Sequence, residues 1–162
     1  MIEIRKSTFG DYPTLLKLYK QARDFMAENG NPLQWGSSYP EPEQIVQDIQ
    51  EQNSYVGVYS GRIVAVFYYR YGVDICYEKI HGGAWLNDSP YGVVHRITSD
   101  GTVKGAASFC LNWAFRQCHN LKIDTHRDNH IMQHTLEKNG FSLCGVIFTD
   151  DGTERLAYQK CL

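Results

Sequence analysis

No stretch of apolar residues in this 162-residue sequence approaches the ~20 residues that span a bilayer. The first residues, MIEIRK, also lack the apolar centre of a secretory signal peptide. Basic residues are not in excess, because 16 lysines and arginines face 18 aspartates and glutamates. At a net charge of −2 the chain has no positive field for a nucleic acid or an anionic membrane. We therefore expect neither as a partner.

Paired cysteines and two well-known phosphate-binding fingerprints are also missing. The five cysteines form no C-x-x-C pair and are odd in number, which favours reduced thiols and a cytoplasmic location. We expect most of them to serve as small buried apolar side chains. Neither G-x-x-x-x-G-K-[ST] nor G-x-G-x-x-G occurs, so the sequence predicts neither a P-loop nor a dinucleotide-binding turn.

The chain does contain enough apolar residues for one well-packed domain, which we expect to cover residues 1–162. Its composition is 43% hydrophobic and 21% charged, as in ordinary globular proteins. Periodicity and turn residues predict strand 1–6, helices 11–28 and 42–49, strands 55–59, 62–70 and 91–98, a helix from about 105 to 115, strand 121–124, helix 129–139, and strands 141–149 and 154–160. Residues 71–90 are irregular, and their pattern also allows a strand at 75–80. This order predicts an α+β fold with a mixed, mostly antiparallel central sheet and helices on both faces.

The most informative stretch runs from Tyr91 to Phe115. Its β-branched start predicts a strand, Ser99-Asp100-Gly101 ends that strand, and residues 109–115 read as a helix. Between them, residues 105–107 are glycine and alanines and carry little side-chain bulk. The start of a helix presents unpaired N–H groups and the positive end of its dipole, so a phosphate can bind there. The alternative is that these small residues serve only tight packing.

Two segments resemble motifs of the GNAT acetyltransferase superfamily. Residues 102–107 resemble its motif A, [QR]-x-x-G-x-[GA], with Gly105 and Ala107 at the small positions and Thr102 in place of the usual glutamine or arginine. Residues 129–141 resemble its motif B, roughly N-x-x-A-x-x-L-Y-x-K-x-G-F. The predicted order of elements is also that of the GNAT fold, so the resemblance covers nearly the whole chain.

The resemblance implies an N-acyltransferase that moves an acetyl group from acetyl-CoA to an amine of a small molecule or a protein, without a metal. It implies that main-chain N–H groups of residues 103–108 hold the pyrophosphate and that the pantetheine pairs with the strand edge at Ile97. Asn129 and the following helix should flank the pantetheine arm. The implied cofactor-binding residues are Ile97, Thr98, Val103, Lys104, Gly105, Ala106, Ala107, Ser108, Asn129 and Met132.

The catalytic residues of the family do not transfer to this sequence. Where many members have a tyrosine acid in motif B, this chain has Leu136, and where some have a glutamate base it has Tyr91. Regular alternation predicts that Tyr91, Val93, His95 and Ile97 share one face of their strand and that Arg96 points the other way. His95 is therefore our main candidate for the base, against the alternative of a buried histidine bonded to the backbone. Weaker candidates are Glu78 and Tyr158.

Two other groups of side chains allow more than one interpretation. Trp35 and Tyr39 lie between the first two predicted helices, where the resemblance implies part of the acceptor pocket; otherwise they cover the core. His130 and His134 have a spacing that zinc sites use, with His126, Asp124 and Asp128 nearby, but no H-E-x-x-H occurs. We predict surface histidines and no metal.

Two other functions compete with the enzyme. A GNAT-like sensor would bind acyl-CoA without catalysis, as Leu136 and the missing carboxylate suggest. A protein-interaction module on the same scaffold would bind no coenzyme A at all. The oligomeric state is left open, with a homodimer as one option.

Overall fold

The computed structural model describes every residue from Met1 to Leu162. Its strands are β1 (Glu3–Lys6), β2 (Ser54–Tyr59), β3 (Arg62–Tyr71), β4 (Gly92–Ser99), β5 (Asn120–Thr125), β6 (Ser142–Phe148) and β7 (Glu154–Cys161). Its helices are α1 (Tyr12–Glu28), α2 (Pro42–Gln50), α3 (Ala106–Cys118) and α4 (His130–Lys138). No helix combines the length and apolarity needed to cross a membrane. The predicted α+β fold is confirmed.

The seven strands form one sheet in the order β1-β2-β3-β4-β5-β7-β6. Every neighbouring pair is antiparallel except β4 and β5, which are parallel. These two strands pair only at Gly92 with Leu121 and at Val93 with Lys122. Beyond Val93 they diverge, so the second half of β4 has no partner strand on that side. The sheet therefore carries a cleft at its centre.

Helices cover both faces of the sheet and place a core on each. Helices α3 and α4 bury the larger cluster, which includes Phe67, Leu111 and Leu136. Helices α1 and α2 bury the second, which includes Leu15 and Val66. The segment between β3 and β4 covers part of that second face. The possible strand at 75–80, in this segment, is wrong. Ile75–Tyr77 instead forms a short 3-10 turn, which is capped by the side chain of Asp74.

A β-bulge interrupts β4 in its second half. Val66 pairs with Thr98 and Tyr68 with His95, so one residue of β3 lies opposite both Arg96 and Ile97. Arg96 takes up the bulge with a φ of 50°. Because the extra residue reverses the alternation, Ile97 joins the core under α3, whereas Arg96 points to the face of His95. The predicted shared face of His95 and Ile97, and the opposite orientation of Arg96, are therefore wrong.

Candidate active site

The corner between β4 and α3 has the backbone geometry of an anion site. Gly105 is the N-cap of α3 with a φ of 78°, in the left-handed region that favours glycine. A Cβ atom at this position would meet no other atom within 4 Å. Glycine is thus required here by backbone conformation and not by packing. Ala106, in contrast, is buried against Ile2 and Val64, so the packing interpretation holds for this residue.

Most N–H groups of this corner have no acceptor within the protein. The N–H of Ala106 donates to the carbonyl of Val103 at 3.3 Å. The N–H groups of five neighbours make no hydrogen bond to another protein group: Val103, Lys104, Gly105, Ala107 and Ser108. They lie at the N-terminus of a 13-residue helix, where the dipole favours a negative charge. A diphosphate fits this donor set.

Side chains next to these amides are held by the protein itself. Thr102, at the position where the family has glutamine or arginine, donates its N–H and its hydroxyl to Asp100 Oδ1, at 3.0 and 2.6 Å. It also accepts a hydrogen bond from Arg62. The hydroxyl of Ser108 accepts one from Asn139 at the end of α4. The hydroxyl hydrogen of Thr102 is therefore taken, whereas that of Ser108 can still be donated to an anion beside the main-chain N–H groups.

The divergence of β4 and β5 opens into a cavity of about 650 Å³ on the face of α1 and α2. Ile97, Asn129 and Met132 line it near the diverging strands. Asn129 caps α4 by accepting the N–H of Met132 at 3.0 Å. Its amide nitrogen donates to Oε1 of Gln34 at 3.0 Å, and the carbonyl of Gln34 accepts from Arg155. The α1–α2 loop is thereby tied to the start of α4.

His95 lies in this cavity between two carboxylates. Its Nε2 is 2.7 Å from Asp74 Oδ2, and its Nδ1 is 3.9 Å from Asp124 Oδ2. Burial is the largest single influence on Asp74 and opposes its ionisation, but the hydrogen bond and charge of His95, the N–H of Cys76 and the charge of Arg70 together lower the pKa of this carboxyl. An ionised carboxylate only accepts hydrogen bonds, so Nε2 carries the hydrogen. Nδ1 of a neutral His95 is then free to accept a proton.

Asp74 and Asp124 are themselves held in place. The N–H of Asp74 donates to the hydroxyl of Tyr91 at 3.0 Å, and its Oδ1 accepts the N–H of Cys76 at 2.9 Å. Tyr91, at the position of the family's glutamate, thus supports the carboxylate that bonds His95. Asp124 accepts the hydroxyl of Tyr77 at 2.6 Å. Burial, and then the charge of Asp124, raise the pKa of Tyr77 well above its ordinary value, so this hydroxyl remains a donor.

Arg96 forms the buried ion pair that connects β4 to α2. Its Nε and Nη2 donate to the two carboxylate oxygens of Asp48 at 2.8 and 2.9 Å. Nη1 donates to the hydroxyl of Tyr39 at 3.0 Å, and the guanidinium lies 4.7 Å from the ring centre of Tyr68. The side chains of Arg96 and Asp48 are only 10% and 5% exposed. The bulge therefore places the guanidinium of Arg96 on one wall of the cavity, where Asp48 fixes it and neutralises its charge.

The structure brings together only some of the residues singled out from the sequence. Six of them line the cavity: Trp35, Tyr39, His95, Ile97, Asn129 and Met132. Trp35 also belongs to the core under α1, so the core interpretation holds for this residue, and its part in an acceptor pocket stays a prediction. Glu78 does not line the cavity, and Tyr158 is 1% exposed in the core on the other face of the sheet. Leu136 is fully buried beside Tyr158.

Several cavity residues were missed by sequence reasoning or, like Asp124, were considered only beside a possible metal cluster. Asp74 comes from the irregular segment before β4, Asp124 from β5, and Arg96 was assigned to the wrong face. Gln34, which ties the α1–α2 loop, also escaped notice. Asp124 was the easiest to find, because period two along β5 places it next to Lys122 on the face opposite Ile123. The other three depend on a bulge or on loops, for which the sequence carries no periodic signal.

The chain is similar in structure to known acetyltransferases. No protein-family model and no curated protein matches the chain. A GNAT-family acetyltransferase from Streptococcus agalactiae is 30% identical, with a TM-score of 0.91 over 99% of this chain and 95% of that one. A GNAT-family acetyltransferase from Listeria monocytogenes is 15% identical, with a TM-score of 0.72 over 99% and 95%. The NatB acetyltransferase complex bound to CoA and MES shares the fold at 16% identity, with a TM-score of 0.64 over 99% of both chains.

Proposed function

The chain belongs to the GNAT family of acetyltransferases, and from this premise we propose that it is an N-acetyltransferase that transfers the acetyl group of acetyl-CoA to an amine. The observation that carries the proposal is the continuity of the site. The unpaired amides at the start of α3 follow the open edge of β4 along the chain, and His95 and Ile97 of that strand line the cavity. This arrangement supports binding of an acyl thioester at one end and of an amine at the other.

Coenzyme A would be held mainly by the main chain. The free N–H groups of residues 103–108 suit the diphosphate, and the unpaired edge of β4 from His95 to Ser99 suits the amide groups of the pantetheine arm. Asn129 and Met132 lie on the other side of the opening. The thioester of acetyl-CoA supplies an acyl carbon that a neutral amine can attack. All of these residues fit a cofactor that enters between β4 and β5.

His95 is the proposed general base. Because Asp74 fixes the hydrogen on Nε2, Nδ1 of His95 can accept a proton from an acceptor ammonium that lies between it and Asp124. The amine nitrogen then forms a bond to the acetyl carbon, and the carbon–sulfur bond breaks. His95 passes the first proton to solvent and then accepts the second proton, which the nitrogen loses as the amide forms, while the thiolate is protonated from solvent. Asp74 is a positioning residue in this scheme, since it acts through His95.

One observation favours the alternative function, a sensor that binds acyl-CoA without catalysis. Leu136 stands where the family has its tyrosine acid, and it is fully buried. This position of α4 therefore offers no hydroxyl to the thiolate. If the chain is a sensor, it must bind acetyl-CoA tightly and turn over no amine.

The test is thiol release from acetyl-CoA over a panel of amines, with acetyl-CoA binding measured in parallel by calorimetry. We expect turnover with at least one amine, a kcat for His95→Ala lowered by about 10²–10⁴-fold, and an unchanged Kd for acetyl-CoA. His119→Asn is the matched control, because His119 is an exposed histidine at the far end of α3. Tight binding with no turnover over the whole panel would establish the sensor instead.

Asp74→Asn separates positioning from packing. An asparagine can offer its amide nitrogen to His95 and so favour the wrong tautomer. We expect a kcat below the wild-type value and an altered acid limb of the pH–rate profile, with the Kd for acetyl-CoA unchanged. A merely structural role for Asp74 would lower the thermal midpoint and leave the shape of that profile intact.

A further inference from the structure

We propose that Asp124 selects the acceptor by its charge. In this scheme the carboxylate binds an aliphatic amine as its ammonium ion, and arylamines, which are uncharged at neutral pH, are poor acceptors. The inference rests on the proposed function and adds the class of the acceptor and the residue that recognises it. One carboxylate oxygen in the cavity, which no protein donor uses, carries it.

The divergence of the central strands places Asp124 in the cavity. This residue lies on β5 two positions beyond Lys122, where the pairing of β5 with β4 ends. On its other side β5 stays bonded to β7, with Ala157 opposite Asp124. The side chain lines the cavity although it is only 9% exposed. Asp124 is therefore a buried carboxylate on a paired strand, at the point where the sheet opens.

The two oxygens of this carboxylate have different partners. Oδ2 accepts the hydroxyl of Tyr77 at 2.6 Å, whereas Oδ1 accepts no hydrogen bond from the protein. Nη1 of Arg155 lies 3.8 Å from Oδ1, which is too far for a hydrogen bond. Nη2 of Arg155 donates instead to the carbonyl of Gln34 at 3.0 Å. Because a buried carboxylate oxygen without a donor is unfavourable, Oδ1 is an acceptor that a ligand can satisfy.

His95 lies across a short gap from the same carboxylate. Its Nδ1 is 3.9 Å from Oδ2 of Asp124, so the two atoms are not hydrogen-bonded to each other. A nitrogen about 2.9 Å from each atom, the usual length of such a hydrogen bond, would bridge the gap. A primary ammonium has three N–H donors and can bond the carboxylate and Nδ1 together. A neutral arylamine lacks the positive charge that makes the bond to a carboxylate strong.

The charges next to His95 are balanced by one positive ion. Asp74 and Asp124 flank the imidazole, and Arg155 offsets one of these two carboxylates. Arg96 is neutralised by a carboxylate partner of its own. The group therefore keeps a single negative charge when His95 is neutral. An ammonium balances that charge, and when its proton moves to Nδ1 the positive charge stays between the same carboxylates.

The test compares cyclohexylamine with aniline, which share a six-membered carbon ring and differ in charge at neutral pH. Binding to protein saturated with coenzyme A is measured by calorimetry, and turnover by thiol release from acetyl-CoA. We expect cyclohexylamine to bind at least about tenfold more tightly than aniline, as a hydrogen bond to a charged group implies. In Asp124→Asn, which keeps an oxygen to accept from Tyr77, this ratio should fall to about one. The affinities for aniline and for coenzyme A should not change.

Asp24→Asn is the matched control. It removes a carboxylate that is 61% exposed on α1 and does not line the cavity, so the preference for cyclohexylamine should remain. The comparison of the two ligands in the wild type needs no variant. It therefore decides the inference even if Asp124→Asn proves unstable.

Absent or equal affinity for the two ligands in the wild type overturns the inference, as does a preference that survives in Asp124→Asn. The proposed function can fail separately. Acetylation of aniline as efficiently as cyclohexylamine would leave the transferase standing and selection by charge wrong. A preference for the ammonium that is lost in Asp124→Asn, without turnover of any amine, would do the reverse.

Discussion

The two ends of the proposed site are built from different parts of the chain. At the start of α3, five of six consecutive residues present free main-chain N–H groups, and Gly105 sets their conformation. At the acceptor end, the α1–α2 loop, the segment before β4, strand β5 and the β6–β7 turn each contribute side chains. The first end is local and depends on backbone geometry. The second depends on contacts between residues far apart in sequence, so single substitutions should affect the two ends in different ways.

Gly105→Glu should produce the largest effect, at the local end. The substitution forces a side chain into a left-handed conformation and adds a negative charge beside the anion site. We expect affinity for coenzyme A to fall by more than about 100-fold, measured by calorimetry. Gly30→Glu is the matched control, since Gly30 has a φ of 80° and equally open surroundings. Retained affinity in Gly105→Glu would mean that the corner does not hold the diphosphate.

Asp48→Asn tests the long-range end. It leaves the guanidinium of Arg96 buried without its carboxylate, which typically costs about 3–5 kcal/mol. We expect the free energy of unfolding in urea to fall by about that amount. The acceptor KM should rise, while the Kd for coenzyme A of the folded fraction stays the same. Asp24→Asn, in an ion pair that is 70% and 61% exposed, should cost less than about 1 kcal/mol. Loss of coenzyme A affinity in Asp48→Asn would show that the two ends are not independent.

The pH dependence of stability gives a smaller effect at the same end. Despite burial, His95 holds the pKa of Asp74 below the ordinary 3.8, so ionised Asp74 stabilises the folded state above that value. This contribution should disappear as the pH falls through the lowered pKa. The difference in unfolding free energy between wild type and Asp74→Asn should therefore shrink in strong acid. A difference that does not change with pH would indicate that the charge of Asp74 plays no part.

Thr102→Val should have the smallest effect, although the residue lies in the motif. Its side chain bonds to Asp100 and Arg62 at the surface, and such hydrogen bonds contribute little net free energy. We expect the Kd for coenzyme A to stay within about threefold of the wild-type value. A much larger loss would mean that the hydroxyl contacts the cofactor.

The difference between local geometry and long-range contacts also explains how far the sequence predicts each end of the site. Gly105 and its small neighbours are consecutive, so a strand, a break and a helix were enough to locate the corner. His95 was found because alternation holds as far as that residue. One residue later, the bulge at Arg96 reverses which side chains face each side of the sheet, and no local sequence pattern predicts this bulge. Asp74 could not be found either, because its role comes from folding an irregular segment against β4.

Amide NMR can establish whether the main-chain N–H groups at the start of α3 hold the cofactor, as we propose. Titration of ¹⁵N-labelled protein with coenzyme A should shift the amide signals of Val103, Lys104, Gly105, Ala107 and Ser108 more than any others. The amides of Asp150 and Asp151 in the acceptor half should move little. Saturable binding of coenzyme A that leaves the five amide signals in place would contradict the account.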